Sequence, residues 1–400
     1  MGDFIIVGSG IAGHQAASEL CRSAPDQNVQ VIGAELGRPY DRPPLSKEYL
    51  VATEPVHPGL RPSEIYGPNV ALRDGISATN IDRENQTVTL ADGSRLHYDK
   101  LLLATGSRLR QLPLPHVDPR RIFYLRTLRD AHRLRGALRE SPRVAIIGGG
   151  FIGLEVAAAA RARGCAVTVL ERAPLLLSRA ATPILSEFAR DLHIKRGVTV
   201  LLGIEADEIF EENGEIVLRW PAGKLRSDIV LVGIGVTPNL ELAFQCGLAT
   251  ADGILVDQQC RTSDGAILAA GEVTNYPIGA LGLRARTESW ASASIQATVA
   301  AKNMLGQDSS FNELPLFWSD QYEINIQCIG LPAKASRFLQ IGDLYSKSWL
   351  RLGVDDAGLL VGAEAVNRGR DISALRRATR NGRSIPAALV EELNRVDANR

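Results

Sequence analysis

The 400-residue chain has few cysteines, and they are scattered along it. They are Cys21, Cys165, Cys246, Cys260 and Cys328. No two have the spacing of a CxxC motif, and the six histidines form no ligand pair with them. An odd number of unclustered cysteines excludes a disulfide framework and gives no sign of a redox disulfide or a metal site.

Net charge and long apolar runs are also lacking. The 45 basic side chains balance 45 acidic ones, so no global field attracts nucleic acid or an anionic membrane, although local patches remain possible. No apolar stretch approaches the ~20 residues of a membrane helix, and the first strand pattern begins too near Met1 for a targeting segment. We expect a soluble cytoplasmic protein of two or three domains that binds neither nucleic acid nor membrane.

What the chain does contain is the same glycine turn twice. The copies are Gly8-Ser9-Gly10-Ile11-Ala12-Gly13 and Gly148-Gly149-Gly150-Phe151-Ile152-Gly153. Each follows a short apolar run typical of a buried strand and opens a helical pattern. Such glycines allow a tight turn and let backbone N–H groups at a helix start approach a pyrophosphate. One copy could simply close a strand onto a helix, but two complete copies predict two bound dinucleotides.

An acidic residue follows the second strand of each unit. Glu35 comes after the apolar run 29–32, and Glu171 ends the run that starts at residue 166. A carboxylate at this place can accept hydrogen bonds from a ribose 2′-hydroxyl and repels a 2′-phosphate. NADH is therefore favoured over NADPH.

The order of patterns predicts an α/β protein with one domain inserted in another. Two similar strand-plus-glycine exits, at 101–106 and 229–238, flank the second glycine turn, and a proline-rich stretch at 37–68 predicts a long functional loop. Past Pro315 the pattern changes to short alternating strands and a helix. We predict two Rossmann-like dinucleotide-binding domains, an outer one at 1–107 and 231–311 and an inserted one at 108–230, plus a C-terminal α+β domain at 312–400.

Four motifs carry a family resemblance. They are Arg42-Pro43-Pro44-Leu45-Ser46-Lys47, Gly150-Phe151-Ile152-Gly153-Leu154-Glu155, Arg286-Thr287-Glu288-Ser289-Trp290 and Phe317-Trp318-Ser319-Asp320-Gln321. Over nearly its whole length the chain resembles the two-dinucleotide flavoprotein reductases. Within them it is similar to the NADH-dependent ferredoxin reductases of bacterial oxygenase systems, most closely those of aromatic-ring dioxygenases, although reductases serving cytochromes P450 share the motifs. The resemblance implies FAD in the outer domain and NADH in the inserted one.

The resemblance also implies which residues contact FAD. They are Gly8, Gly10, Ile11, Ala12, Gly13, Glu35, Arg42, Lys47, Ile76, Ala104, Thr105, Gly106, Arg126, Glu272, Trp290 and Trp318. Glu272 replaces the commoner Asp and is one methylene longer, so either the strand end lies further back or the acid reaches a different ribityl hydroxyl. Packing is the alternative for Ile76 and the two tryptophans, and surface charge is the alternative for Arg126.

The implied NADH contacts lie around the second turn. They are Gly148, Gly150, Phe151, Ile152, Gly153, Glu155, Glu171 and Gly235. Lys47, Glu155 and Trp318 are the residues expected to act in catalysis: Lys47 beside the flavin and able to pair with Glu155 at the nicotinamide, and Trp318 beside both rings. The alternatives are a solvated lysine, an exposed helical glutamate and a core tryptophan, since charged residues usually stay in water and large aromatics dominate cores.

The implied reaction is hydride transfer from NADH to FAD, followed by two one-electron steps to a [2Fe-2S] ferredoxin that supplies a terminal oxygenase. In such enzymes the cofactors carry the chemistry and the protein positions them. Disulfide and peroxide reductases of the superfamily need cysteine beside the flavin, which residues 43–47 lack. The alternatives are a rubredoxin or other small-acceptor reductase and a non-catalytic NADH-sensing flavoprotein. We expect a monomer or weak homodimer.

Two arginine-rich stretches could steer an acidic ferredoxin. The first contains Arg108, Arg110, Arg120, Arg121, Arg126, Arg129, Arg133, Arg135, Arg139 and Arg143. The second contains Arg368, Arg370, Arg376, Arg377, Arg380 and Arg383. Because single surface charges contribute little, solvated faces are the alternative. We hypothesise that at least one stretch docks the ferredoxin.

Overall fold

The computed structural model describes residues 3–379, 382 and 384–398, and for residues 280 and 396–398 it describes the backbone alone. The chain divides into two units. Unit one comprises Met1–Asp41, His57–Arg108 and Thr237–Phe317, and unit two comprises Arg42–Val56, Leu109–Val236 and Trp318–Arg400. The three domain boundaries expected from the sequence stay a prediction.

A five-stranded parallel sheet forms the centre of unit one. Its strands, in spatial order, are Ile267–Ala269, Lys100–Leu103, Asp3–Val7, Asn28–Gly33 and Val70–Asp74. The inner strands are continuous apolar runs that are buried on both faces, as expected of a parallel sheet covered by helices. Helices Ile11–Ser23 and Trp290–Met304 pack on each other and contact the sheet, and small buried residues allow this close approach.

Two smaller sheets, one antiparallel and one mixed, complete unit one. One contains Ala78–Asp82, Thr87–Leu90 and Arg95–His97, and the other contains Thr250–Ala251, Gly253–Leu255, Thr274–Ile278 and Leu283–Arg286, in which 253–255 pairs in parallel with 274–278. The short helical segments of unit one are Ser63–Ile65, Glu241–Gln245 and Gly279–Leu281.

Unit two repeats the parallel architecture. Its five-stranded sheet has the spatial order Thr199–Leu202, Ala166–Glu171, Arg143–Ile147, Ile229–Val232 and Ile122–Phe123, and each neighbouring pair is parallel. The helices of this part are Leu128–Ala137, Phe151–Ala162 and Pro183–Lys195, with 3-10 turns at Pro119–Arg121 and Leu138–Glu140. An antiparallel sheet of Glu208–Glu212, Glu215–Trp220 and Gly223–Ser227 adds Ile216 and Leu218 to the same core.

The segment Arg42–Val56 folds onto unit two. It contains a 3-10 turn, Pro43–Ser46, and a one-turn helix, Glu48–Val51, which packs against helices Leu128–Ala137 and Phe151–Ala162. Two guanidinium groups bind carbonyls at the end of this one-turn helix: Arg163 donates to Leu50 and Val51, and Arg135 donates to Ala52 at 2.9 Å. Cations suit this end of a helix because its last carbonyls have no partner within the helix.

Arg135 is a correction to the sequence analysis. It was grouped with surface arginines that could meet a partner, but it is buried and its guanidinium binds the carbonyls of Ala52 and Thr53. The periodicity of a short helix does not reveal that a distant loop covers one arginine of an otherwise exposed row. Arg135 therefore fixes the 42–56 segment and is not available to a partner.

The C-terminal part of unit two is an antiparallel sheet with two helices. The strands have the order Leu316–Gln321, Ile324–Gly330, Leu360–Val366, Trp349–Val354 and Arg337–Ile341, and the helices are Gly369–Thr379 and Ala387–Ala398, with a 3-10 turn at Pro332–Lys334. Phe188 of helix Pro183–Lys195 meets Trp349 edge-on, with ring centroids 5.8 Å apart. This helix therefore packs on the C-terminal sheet.

A buried polar cluster anchors the start of the same helix. Glu364 is fully buried and accepts hydrogen bonds from the backbone N–H of Thr182 at 2.5 Å and from its hydroxyl at 2.6 Å. Arg351 lies 3.4 Å from the Glu364 carboxylate and stacks over Phe338. Burial raises the pKa of Glu364, and the Thr182 and Arg351 donors oppose that rise.

Among the residues that the structure describes, no helix is both long enough and apolar enough to span a bilayer. The strands Ser107–Leu109 and Val236–Pro238 pair with each other in a two-stranded sheet. The two strand-plus-glycine exits that the sequence predicts correspond to strands Lys100–Leu103 and Ile229–Val232 and to the glycine-containing turns that follow them. The predicted strands at both glycine turns and the helices after them are also present.

Candidate active site

The first glycine turn, in unit one, has one glycine that faces open space. Gly8 has a φ of +117°, and a Cβ there would lie 2.1 Å from the Ala104 carbonyl oxygen. A Cβ on Gly13 would lie 1.8 Å from the carbonyl oxygen of Gly8, whereas a Cβ on Gly10 would meet nothing within 4 Å. The outer glycines are therefore required by packing, and the middle glycine leaves room at the start of helix Ile11–Ser23 for a ligand.

The second glycine turn, in unit two, has the same geometry. Gly148 has a φ of +110° and its Cβ would lie 2.4 Å from the Gly233 carbonyl oxygen, and a Cβ on Gly153 would lie 2.2 Å from the carbonyl oxygen of Gly148. Gly150 again faces open space, at the start of helix Phe151–Ala162. Next to it, Ile152 leaves 46% of its surface exposed, which is unusual for an isoleucine.

The two acids expected at the ribose hydroxyls have different surroundings. Glu35 accepts a hydrogen bond from the Tyr40 hydroxyl, and the neighbouring Ile76 is held to the same strand end because its N–H donates to Gly33 at 3.0 Å. The two carboxylate oxygens of Glu171 accept from the backbone N–H groups of Gly149 and Ala173, both at 2.7 Å. Glu171 therefore also shapes the glycine turn of unit two.

Ala104, Thr105 and Gly106 follow the strand Lys100–Leu103 at the same sheet edge as Gly8. The N–H of Ala104 donates to Val7 at 2.8 Å. Thr105 and Asn239 bind each other twice, through the threonine hydroxyl at 3.0 Å and the asparagine amide at 2.8 Å. The loop is thus rigidly held beside the first turn.

Glu272 and Trp290 also belong to unit one. Glu272 follows Gly271, whose φ is +89° and whose Cβ would lie 3.1 Å from the Cβ of Ala12, so this strand end is close to the start of helix Ile11–Ser23. Trp290 begins helix Trp290–Met304, is half-buried, and donates its indole N–H to Asp41 at 2.6 Å. Full burial in the helix core is therefore excluded for Trp290.

Of the predicted FAD contacts in unit two, Arg42 and Arg126 touch each other. The Arg42 guanidinium donates to the carbonyl of Arg126 at 2.5 Å. Arg126 precedes a helix capped at Thr127, and its N–H donates to Asp130 at 3.2 Å. The backbone that carries Arg126 is therefore fixed on both sides.

Lys47 and Glu155 form a buried ion pair in unit two. Lys47 Nζ lies 3.0 Å from Glu155 Oε2, and the side chains are 12% and 2% exposed. The Ser46 hydroxyl donates to the same carboxylate oxygen, and the Ser319 hydroxyl donates to the other at 2.7 Å. Three donors from two distant segments therefore converge on one carboxylate, and the alternatives of a solvated lysine and an exposed glutamate are excluded.

Opposing effects act on the pKa of Glu155. Burial is the largest and raises it, whereas the Lys47 charge and the Ser319, Ser46 and Lys47 hydrogen bonds lower it. A buried carboxylate without such donors would take up a proton. The donors therefore favour the negatively charged form of Glu155 against the effect of burial.

Trp318 and Gly235 also belong to unit two. Trp318 precedes Ser319 in strand Leu316–Gln321. It is half-buried, which excludes the alternative of a tryptophan buried in the core. Since neighbouring strand residues face opposite sides, Trp318 stands on the other face from Ser319. Gly235 has a φ of +95°, and a Cβ there would lie 3.1 Å from a guanidinium nitrogen of Arg179, so only glycine suits this position.

Sequence reasoning missed several residues of this site. Ser46 and Ser319 stood inside the quoted motifs but were given no role, and Gln321 and His193 lie behind Ser319 in the same buried polar group. Period-two spacing of Ser319 and Gln321 in a strand could have placed them on one face. The contact with His193 has no signal in the sequence.

No group of His, Cys, Asp and Glu side chains within the described residues could hold a metal ion. All five cysteines are described and are free thiols, and burial raises the pKa of Cys165, Cys260 and Cys328. These three buried thiols are therefore poor nucleophiles.

Comparison with protein families places this geometry in a known group. The model of the pyridine nucleotide-disulphide oxidoreductases matches residues 2–297, and a reductase C-terminal domain matches residues 316–395. The chain belongs to the pyridine nucleotide-disulphide oxidoreductase family. Its fold class, an α/β protein with two dinucleotide-binding domains and a C-terminal domain, is confirmed.

Individual relatives are similar over nearly their whole length. The ferredoxin–NAD(+) reductase component of the anthranilate 1,2-dioxygenase system of Burkholderia cepacia is 44% identical over 94% of this chain and 93% of its own. The structure of a covalent putidaredoxin reductase–putidaredoxin complex superposes with a TM-score of 0.91 at 32% identity, covering 100% of this chain and 98% of the other. A ferredoxin reductase for the CYP199A2 system of Rhodopseudomonas palustris has a TM-score of 0.90 at 36% identity, with 98% and 99% covered.

This oxidoreductase uses FAD and NADH. Its residues fit both cofactors, because each glycine turn leaves open space at its middle glycine, where a pyrophosphate would meet the N–H groups of a helix start. The family match and the similar proteins confirm the family resemblance that was inferred from the sequence. The role of each individual site residue stays a prediction.

Filling the open space at one turn should remove one cofactor only. Gly150→Val introduces a side chain where a pyrophosphate would lie, in an extended conformation that valine accepts. We expect wild-type FAD content but at least ~10-fold weaker NADH binding, as for loss of one or more charge-assisted hydrogen bonds. Calorimetric titration of the purified yellow protein measures this.

The matched control is Gly136→Val, since Gly136 also has open space at its Cβ position but lies in helix Leu128–Ala137 outside both turns. Its NADH affinity should be that of the wild type. Normal NADH binding by Gly150→Val, or equal weakening in both variants, would contradict the placement of NADH at this turn.

Proposed function

We propose that this protein is an FAD-dependent NADH:ferredoxin reductase that passes electrons one at a time to a [2Fe-2S] ferredoxin. The ferredoxin supplies an oxygenase, with an aromatic-ring dioxygenase favoured over a cytochrome P450. The relative from Burkholderia cepacia is named as the reductase component of such a dioxygenase system. The close structural relatives are a reductase solved with putidaredoxin and a reductase of a CYP system.

The observation that carries the proposal is the buried Lys47–Glu155 pair in a protein whose cysteines are all single thiols. A family member that reduces disulfides needs two cysteines that can pair, and this chain has none in reach of each other. Bound FAD can accept a hydride from NADH and release the two electrons singly. The acceptor is then a separate one-electron carrier.

The protein contributes orientation and charge. We propose that Glu155 accepts a hydrogen bond from the nicotinamide carboxamide, since it lies in the first turns of the helix that follows the glycine turn proposed to hold NADH. Lys47 lies 3.0 Å from the Glu155 carboxylate in a site from which water is largely excluded, and its charge opposes the rise that burial causes in the pKa of Glu155. Trp318 is half-buried in strand Leu316–Gln321, and we propose that its indole lies beside the flavin and nicotinamide rings and excludes water from them.

Reduction of candidate acceptors by NADH tests the proposal. The FAD-loaded protein should reduce a [2Fe-2S] ferredoxin from an aromatic-ring dioxygenase system at least ~10-fold more efficiently, in kcat/KM, than rubredoxin, a ratio equal to about 1.4 kcal/mol of transition-state binding. Stopped-flow absorbance at the ferredoxin bands measures the rate. Faster rubredoxin reduction, or slow flavin reduction without any acceptor turnover, would favour one of the two alternatives.

Fewer arginines of the first stretch are available to contact an acidic ferredoxin than the sequence alone suggests. Several arginines of the first stretch are already paired with acids: Arg108 with Glu241, Arg120 with Asp118, Arg121 with Glu211, and Arg143 with Glu215 and Asp228. Arg129, Arg133 and Arg139 remain exposed on and after helix Leu128–Ala137. They are the better candidates in this stretch.

In the second stretch, too, only some of the arginines are exposed and available to a partner. Arg368 is paired with Asp371 and Glu392, and Arg376 is half-buried. Arg370 and Arg377 are exposed on helix Gly369–Thr379, whereas Arg380 and Arg383 lie outside the described residues. We propose that a ferredoxin docks on one of these two exposed arginine surfaces.

Charge reversal separates the two surfaces. Two double variants test this: Arg129→Glu with Arg133→Glu, and Arg370→Glu with Arg377→Glu. One of the two should raise the KM for ferredoxin about 10-fold at low salt and make that KM depend less on salt concentration. Reduction of a small dye by NADH should stay unchanged. The control is Lys195→Glu with Lys224→Glu, an equal change in net charge at exposed positions outside both stretches. Wild-type behaviour of both arginine pairs would contradict docking at either surface.

A cytoplasmic location and a monomer or weak homodimer stay predictions. Which ferredoxin and which oxygenase this reductase serves depends on surfaces of the partner proteins. The fold by itself does not select them.

A further inference from the structure

A line of hydrogen bonds runs through the interior of unit two and ends at Glu155. The Ser319 hydroxyl lies 2.7 Å from Glu155 Oε1, and Gln321 Nε2 lies 3.0 Å from Ser319 Oγ. His193 Nε2 lies 2.9 Å from Gln321 Oε1. Ser319, Gln321 and His193 are all fully buried, so water does not compete for these contacts.

The chemistry of the groups fixes the direction of this line. An ionised carboxylate only accepts hydrogen bonds, so the Ser319 hydroxyl must donate to Glu155 and can then only accept from Gln321. Gln321 therefore turns its NH₂ group to Ser319 and its carbonyl oxygen to His193. His193 must in turn carry its proton on Nε2.

The far end of the line agrees with this direction. A neutral imidazole protonated on Nε2 has Nδ1 as its acceptor, and the Tyr322 hydroxyl lies 3.3 Å from that nitrogen. Burial lowers the pKa of His193, and the weaker opposing effect of Gln321 leaves the ring neutral near neutral pH. Burial also raises the pKa of Tyr322 to about 12, so its hydroxyl keeps its proton.

We propose that His193, Gln321 and Ser319 are positioning residues that form a one-directional chain of donors and keep the Glu155 carboxylate ionised and aimed at Lys47. The proposal rests on the proposed function only in that Glu155 serves the nicotinamide. A primary amide in the middle does not hand a proton on, so the chain acts through its aligned dipoles, which are strong in a dry interior. Removing one residue of this chain of donors should make the ionised form of Glu155 less stable relative to its protonated form.

The charged groups around both ends are few. Lys47, from the segment before the one-turn helix, is the charged group in contact with Glu155. On the other elements packed against helix Phe151–Ala162, Glu48 is exposed and the Glu171 carboxylate binds Gly149 and Ala173. At the far end, Arg196 stacks over the Tyr322 ring and pairs with Glu323, and the Arg161 charge also acts on Tyr322.

The pH dependence of stability tests the proposal without an activity assay. The folded-state pKa of Glu155 is raised, so its contribution to stability is fully present below the unfolded pKa and is lost as pH rises through the folded pKa. Ser319→Ala removes one donor to the charged form and should raise the pKa of Glu155 further. The Ser319→Ala holoenzyme should therefore unfold at a lower midpoint temperature than the wild type. This difference should be small at acidic pH and increase toward neutral pH.

Ser227→Ala is the matched control. Ser227 is similarly buried in unit two, and its hydroxyl has no hydrogen-bond partner among the residues that the structure describes. Its midpoint gap to the wild type should not change with pH. Gln321→Leu, which leaves Ser319 in place, should show a widening gap of smaller size. Gaps that stay constant with pH for both Ser319→Ala and Gln321→Leu would overturn the proposal.

A second measurement needs no variant in the chain. In the FAD-loaded wild type, ¹⁵N NMR of the histidine rings should show His193 as a neutral ring protonated on Nε2. A ring protonated on Nδ1, or a charged ring at neutral pH, would overturn the proposal. Failure of ferredoxin reduction would count against the proposed function alone, since neither readout depends on electron transfer.

Discussion

A negative charge in a dry interior is the constraint on which the rest of this structure depends. Glu155 lies in a helix of small apolar residues and is almost inaccessible to water, so burial raises the pKa of its carboxylate, and donors from elsewhere in the chain oppose that rise. Lys47 and Ser46 come from the 42–56 segment, and Ser319 comes from the first C-terminal strand. Arg135 and Arg163 in turn hold the 42–56 segment by its carbonyls. The C-terminal part therefore completes the charge environment of the nucleotide-binding helix.

The two glycine turns show how one local solution serves two ligands. Backbone contacts require the outer glycines of each turn, which are Gly8 and Gly13 in one and Gly148 and Gly153 in the other, whereas Gly10 and Gly150 face open space. The turns differ in the acid that follows: Glu35 binds a tyrosine hydroxyl, whereas both oxygens of Glu171 bind backbone N–H groups. In unit two the acid therefore supports the turn itself, and a ribose would have to use its remaining lone pairs.

The parts predictable from the sequence were those with a short-range signal. The turns, the strands before them and the helices after them follow from glycine spacing and apolar periodicity. The Lys47–Glu155 contact was suggested only by family resemblance, because its partners are 108 residues apart and no periodicity joins them. The contacts of Ser319 with Glu155 and of His193 with Gln321 span 164 and 128 residues and were missed for that reason. Arg135 was misjudged because a loop distant in sequence buries it.

The ionisation state of Glu155 at neutral pH is the most direct test of this account. Infrared spectra of the FAD-loaded protein with ¹³C-labelled glutamate, taken as the difference between wild type and Glu155→Gln, would isolate this one side chain. The account predicts the paired bands of a carboxylate, weakened when Lys47 is replaced by Met. The carbonyl band of a protonated carboxylic acid in the wild type would contradict it, because the Lys47 pair and the donors around it would then lack the charge they are arranged to hold.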